Sequence, residues 1–122
     1  MGVRKVNLEA AFASFSERWC PKVIAEVNDA VVKPAKLEGT FDWHHHERED
    51  ELFLVVKSRL TIRLRDQDDI TLNEGECVMI PRGLEHLPVA GEEAHVLLFE
   101  PRATLNTGNL ENERTVRAPE RL

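Results

Sequence analysis

The chain has no tyrosine. Any reaction that needs a phenolic acid or base from this chain is therefore excluded. Cysteine is scarce too: Cys20 and Cys77 stand far apart, with no Cys-x-x-Cys pair. That placement suits reduced thiols in the cytoplasm better than a disulfide framework. No apolar run approaches the roughly 20 residues needed to cross a bilayer. The first twenty residues lack the basic start and apolar stretch of a secretory signal. A cytoplasmic location, away from membranes, is the expectation. No basic stripe offsets the net charge of -6, which disfavours nucleic acid, where binding comes from neutralising phosphates.

What is present describes one soluble domain. The 122 residues include 42% hydrophobic and 31% charged residues, a balance that supports a packed core and argues against disorder. Residues 1–19 read as an N-terminal helical segment. Leu8, Ala11, Phe12 and Phe15 recur at spacings of three and four within Val6 to Phe15, and Asn7 is placed to cap them. Pro21 then turns the chain to extended structure.

Residues 20–101 read as short strands between turns. The expected strands are Lys22 to Glu26, Ala30 to Leu37, Thr40 to His46, Leu52 to Val56, Leu60 to Arg65, Ile70 to Leu72, Cys77 to Ile80, Glu85 to Val89 and Ala94 to Glu100. Pro34 suggests an edge or a bend. The unbroken apolar run from Leu52 to Val56 suits a strand buried on both faces. Many short strands with turn residues between them indicate an all-β sandwich or barrel. Residues 102–122 lack periodicity and read as an irregular, partly disordered tail.

Three of the five histidines are consecutive. On a strand, His44 and His46 share one face and can converge on one ion, while His45 points away with Phe41 and Trp43. Glu51 leads directly into Leu-Phe-Leu-Val-Val. A carboxylate there is costly to bury unless it is paired or coordinates a metal. Pro81 and Gly83 make a tight turn that could fold His86 back toward the same cavity.

These residues fall into two motifs. Gly39 to Glu51, with the His-x-His pair at 44 and 46, a short spacer and Glu51, resembles the first cupin motif. Gly75 to His86 reads G-x5-P-x-G-x2-H and resembles the second. The resemblance covers about residues 20 to 101. It departs at Ser58, where the first motif has Gly, and at Ala90, where the second often has Asn. The first Gly also sits one residue closer to the His pair than usual. No ligand position is affected.

The resemblance implies a cupin double-stranded β-helix, a jelly-roll barrel with the short helix added. It implies one divalent transition metal per chain, drawn from Fe, Mn, Ni, Zn, Cu and Co, bound by His44, His46, Glu51 and His86. Four such ligands leave room on an octahedral ion for a small-molecule substrate. Two functions fit: a metalloenzyme acting on a small polar molecule, or a non-enzymatic module that binds or senses one. For the enzyme, dioxygenase chemistry and isomerase, epimerase or lyase chemistry both stay open. Thiol dioxygenases of this class typically use three His without the Glu, so Glu51 argues against that branch. A homodimer is expected, pairing through the N-terminal helix and the strands around Pro34.

Other residues carry milder expectations. His45 reads as exposed or interfacial. His95 reads as a packed, hydrogen-bonded histidine, with a pocket-lining role as the alternative. Cys77 reads as a small buried hydrophobe that could also line the cavity. Arg82 and Glu85 read as solvated, and Trp19 and Trp43 as core or interface residues.

Overall fold

The computed structural model describes residues 2–122. Helix α1 spans Leu8–Ala13. Strands follow as β1 (Ala25–Val27), β2 (Ala30–Thr40), β3 (Glu51–Lys57), β4 (Leu60–Leu64), β5 (Ile70–Leu72), β6 (Cys77–Ile80) and β7 (His86–Pro101). The seven strands form one sheet in the order β1-β2-β7-β3-β6, with β4 pairing β5 and β7. The all-β expectation is met.

The sixteen residues of β7 join the two parts of the sheet. The first half of β7 pairs with β4, as in Arg63 opposite Leu87. The second half pairs with β3, as in Phe53 opposite Leu98. Its other edge pairs with β2. Every named strand pair is antiparallel. A strand shared in this way curls the sheet around an interior.

Alternation fills that interior. In β3, Glu51, Phe53 and Val55 are buried while Leu52, Leu54 and Val56 are half-exposed. Phe53 and Val55 join Leu60, Ile62, Ala94 and Val96 in the core. Each such large side chain stabilises the fold by about 1.5–3 kcal/mol when fully buried. The Leu52–Val56 strand is thus fully buried on one face only, and its outer face is partly open.

Helix α1 is shorter than the Val6–Phe15 stripe. The Asn7 side chain caps it, accepting a hydrogen bond from Ala10 N at 2.9 Å. Phe12 is buried and stacks on His95 with ring centroids 4.5 Å apart. His95 packs against α1 through this stack. It is half-exposed on the outer parity of β7 and makes no side-chain hydrogen bond among the described residues, which corrects the hydrogen-bonded core reading. Pro34 lies within β2, where its carbonyl accepts from Lys22 N at 3.0 Å. Its ring therefore faces the irregular 18–24 segment, and no β2–β7 ladder bond is lost.

Ser58, in place of the motif Gly, has φ 69°. That conformation costs a non-glycine residue about 1–2 kcal/mol. The Ser58 N–H bond to Glu74 Oε2, at 2.9 Å, offsets part of it.

Further expectations are corrected. Thr40 to His46 is not a strand: β2 ends at Thr40, and His44 contributes only an isolated bridge to His86. Cys77 is exposed rather than buried, because it falls on the outer parity of β6, opposite Leu54. The tail after Pro101 is irregular but packed: Thr104 and Thr107 are buried, and Leu122 N donates to Val23 O.

Candidate metal centre

His44, His46, Glu51 and His86 converge although they come from three places in the chain. The His44 and His86 backbones exchange two hydrogen bonds, His44 N to His86 O at 3.1 Å and His86 N to His44 O at 2.9 Å. Gly83 N donates to His46 O at 2.8 Å. Arg82 holds the intervening loop through Asp50, which accepts from the Arg82 backbone N at 2.9 Å and from its guanidinium. The Pro81–Gly83 turn is thereby clamped on the first motif, with Gly83 at a φ of 83° that suits glycine.

All four side chains are buried, and one ligand atom from each lies within 4.8 Å of the others. Oε1 of Glu51 stands 3.3 Å from His46 Nε2 and 3.5 Å from His86 Nε2. Donors held about 2.1 Å from one ion sit about 3.0–3.4 Å apart, so one spacing falls in that range and the other lies just beyond it. His44 Nδ1 donates to Asp42 O at 2.8 Å, and His86 Nδ1 donates to Leu84 O at 2.9 Å. Those carbonyls fix the tautomers, and each Nε2 lone pair is left facing the cluster.

The remaining inward atoms have no protein partner. His46 Nε2, His86 Nε2 and Glu51 Oε1 are buried without a hydrogen bond. Orphaned buried polar atoms are rare and ask for an explanation. Three of them aimed at one point, from a mixed nitrogen and oxygen set, are what a divalent transition metal satisfies.

Electrostatics agree. Burial, then the neighbouring His86 charge, pushes His44 down to about 4. Burial would raise Glu51, but the close Glu100, His46 and His86 side chains outweigh it and hold the carboxyl well below its usual range. Glu100 moves the opposite way, raised by burial and by the Glu51 charge.

These shifts predict a pH dependence for the metal-free protein. His44 binds its proton less readily folded than unfolded. Its contribution is present above the unfolded value near 6.5 and is lost as pH falls toward about 4. Glu51 acts in the same direction at lower pH. Glu100 opposes them, since its folded form holds a proton that the unfolded chain releases. The His44 part is the difference in melting temperature between wild-type protein and His44→Ala, which should fall between pH 6.5 and 4. A flat profile over that range would contradict the geometry.

His45 is half-buried, and its backbone N donates to Asn109 at 2.8 Å. Phe41 overturns the parity reading, because its ring meets His44 edge-on at 5.3 Å. Trp19 stacks on Phe41 at 4.6 Å. Trp43 lies outside, under Arg65 at 4.0 Å. Arg82 is exposed, as expected, and Glu85 half-buried.

A cavity of about 30 Å³ touches His44 and Glu51. Trp19, Phe41, Phe53, Pro88 and Leu98 wall it, and Asn106 of the tail lines it too. A wider groove, about 940 Å³ around Ser58, Thr71 and Glu92, includes none of the four cluster residues. It is wide but has no chemistry of this kind, so the small cavity defines the site.

The fold and this cluster together define a β-barrel protein with a buried three-His, one-Glu group that could hold a metal ion. Residues 28–100 match the cupin domain family, and the chain belongs to it. It is 38% identical over 80 residues to the uncharacterized protein YdbB of Bacillus subtilis, covering 66% of this chain and 71% of YdbB. A cupin-2 domain protein from Shewanella frigidimarina superposes with TM-score 0.77 at 46% identity, covering 80% of this chain and 94% of that one. Hydroquinone 1,2-dioxygenase from Sphingomonas sp. TTNP3 shares the fold at TM-score 0.73 and 20% identity, over 80% of this chain and 32% of its own.

Proposed function

We propose that this protein is a metal-dependent enzyme that holds one divalent transition metal on His44, His46, Glu51 and His86 and acts on a small metal-chelating molecule. The observation that carries the reading is the trio of orphaned inward atoms on His46, Glu51 and His86. A bound ion would supply Lewis acidity or a place for dioxygen. The chain itself supplies tautomer-fixed imidazoles, one negative charge and a mostly apolar wall.

The wall favours dioxygenase over isomerase or epimerase chemistry. His44 and Glu51 are the titratable groups among the cavity's lining residues, and both are committed to the cluster. Moving a proton between substrate carbons needs a further acid or base. A substrate that brings its own chelating oxygens and reacts with dioxygen needs none. Binding without catalysis is the second reading, supported by the same apolar wall.

Elemental analysis of the purified protein tests the first step, with one equivalent of a transition metal expected. Oxygen uptake by the Fe-loaded protein with diketones, catechols and keto acids tests the second. Uptake with none of them would leave the binding module as the better reading.

A homodimer is part of this proposal, but its surface moves. Helix α1 buries its own stripe within the chain, whereas the outer sheet face is open. Val27, Met79 and Phe99 there are 51%, 50% and 41% exposed. Leu52 lies opposite both Phe99 and Met79. Arg48, Arg82, Asp29 and Asp50 line the same hollow, so a two-fold copy can set each sign against the other. Sedimentation should show a dimer at micromolar concentration and a monomer for Phe99→Lys; a wild-type monomer would overturn it. The free thiols of Cys20 and exposed Cys77 support a reducing, cytoplasmic setting, and no helix among the described residues is long and apolar enough to cross a membrane.

A further inference from the structure

Trp19 is held in a backbone conformation that a bulky residue does not favour. Its φ is 58°, in the left-handed region that such residues rarely enter. Strain of this kind persists only where neighbouring contacts impose it. Trp19 N donates to Lys36 O at 2.8 Å, and its indole Nε1 donates to Glu38 O at 2.9 Å. Its carbonyl accepts from Asn106 Nδ2 at 3.4 Å. The result is an indole laid on Phe41, with ring planes 19° and centroids 4.6 Å apart. Phe41 in turn meets the His44 ring.

The indole occupies space that a ligand of the site would need. The cavity beside His44 and Glu51 measures about 30 Å³, room for about one water. Its walls are of two kinds. Ala35, Leu37, Phe53 and Leu98 come from strands of the packed core, where close packing leaves little slack. Trp19, Pro21, Phe41 and Asn106 come from irregular segments. Pro21 and Phe41 are buried. The Asn106 amide is committed on both atoms, since Nδ2 also donates to Arg114 O and Oδ1 accepts from Val116 N. Trp19 combines a large side chain with an open side: it is half-buried, and its bond to Glu38 lies at the surface. Water can replace that bond when the ring swings out. Return of the backbone to an ordinary φ favours the same movement.

We propose that Trp19 is the specificity-determining residue of the metal site: its indole fills the solvent side of the cavity and yields its place on Phe41 to a flat, conjugated chelating molecule. The slot that an indole leaves is flat, and one wall of it is an aromatic face. A planar ligand therefore regains the stacking that the indole gives up, and a saturated one does not. The inference deepens the function proposed above and rests on its four-residue ligand set.

Zn²⁺-loaded protein and maltol, a flat chelator whose ultraviolet band shifts on coordination, test it. Zn²⁺ is redox-inert, so binding is read apart from any reaction. The chain has two tryptophans, so isotope-labelled indoles give two Nε1–H signals in NMR, and Trp43→Phe assigns them. The Trp19 signal should lose its protection from solvent exchange when maltol binds. Trp19→Ala removes the stack and the surface bond together, and maltol should then bind about 5- to 100-fold faster. If Trp19→Ala does not fold, the exchange measurement on wild-type protein decides alone. Maltol bound with the Trp19 Nε1–H still protected, or bound to Trp19→Ala at the wild-type rate, would overturn the inference. Zn²⁺-loaded protein that binds no maltol, with or without the indole, rejects the flat ligand class and leaves the ligand set standing. Wild-type protein that takes up no Zn²⁺ rejects the ligand set, and this inference with it.

Discussion

His86→Ala is expected to lower the affinity for a divalent transition metal by more than about 100-fold. The bound follows from magnitudes. Removing a hydrogen-bond partner of a ligand costs roughly 10- to 100-fold, and removing a ligand must cost more. His86 is also the residue on which the geometry converges. It is fully buried, its Nδ1 is tied to Leu84 O, and its backbone bridges His44. Its loss removes one of three orphaned inward atoms, while the backbone bridge can persist. The fold should therefore survive and the binding should not. Thermal melts distinguish the two. Metal at a hundred times its dissociation constant stabilises a protein by about 2.7 kcal/mol. Wild-type protein should melt higher with metal, and His86→Ala should melt at one temperature with and without it. A retained metal-dependent rise would remove His86 from the ligand set.

Much of this site is readable in the residues before any coordinates. Alternation separates His44 and His46 from His45, and the two histidines stay on one side even where the strand has ended. Glu51 is legible because a charge leading an apolar strand must be satisfied. Phe41 was not legible, for a local reason. The β2–β7 register shifts between Leu37 and Gly39, and Gly39 has φ 88°. Past that irregularity strand parity no longer applies, and Phe41 turns toward His44. Cys77 shows the converse limit. An apolar run fixes a strand but not which of its faces is outer, and β6 happens to place the thiol outside. Lys33 and Glu100, a buried pair 3.1 Å apart, did leave a signal. Each occupies the inward parity of its strand, with Val31 and Ala35 around one and Val96 and Leu98 before the other. A charge at an inward position is the same cue that marked Glu51.

The tail gave no such cue, because no repeating pattern holds it. Single polar contacts do. Asn109 N donates to His45 O at 2.9 Å and His45 N to the Asn109 side chain at 2.8 Å. Asn112 reaches Asp42, and Arg114 reaches Thr40 O. This strap lies beside the site, with Asn106 lining the cavity. A cavity of about 30 Å³ holds about one water, whereas sites for larger ligands run to about 300 Å³ or more. We expect larger ligands to enter where the strap is displaced.

Gly108→Ala tests that route with one methyl group. A Cβ at Gly108 would lie 2.3 Å from His45 O and 3.0 Å from His44 Cδ2, at a φ of +59°. The first neighbour is backbone, so the strap or the 44–46 segment must move. Overpacking of this kind costs about 1–3 kcal/mol. That energy acts on the strap's closed state, and each 1.4 kcal/mol multiplies the open fraction about tenfold. If bound metal leaves through the opened mouth, its release into excess chelator should accelerate about 5- to 100-fold. The global melting temperature should move less, since the barrel core lies elsewhere. Release at the wild-type rate would mean that the ion and its substrate use another opening, and that the strap serves the fold alone.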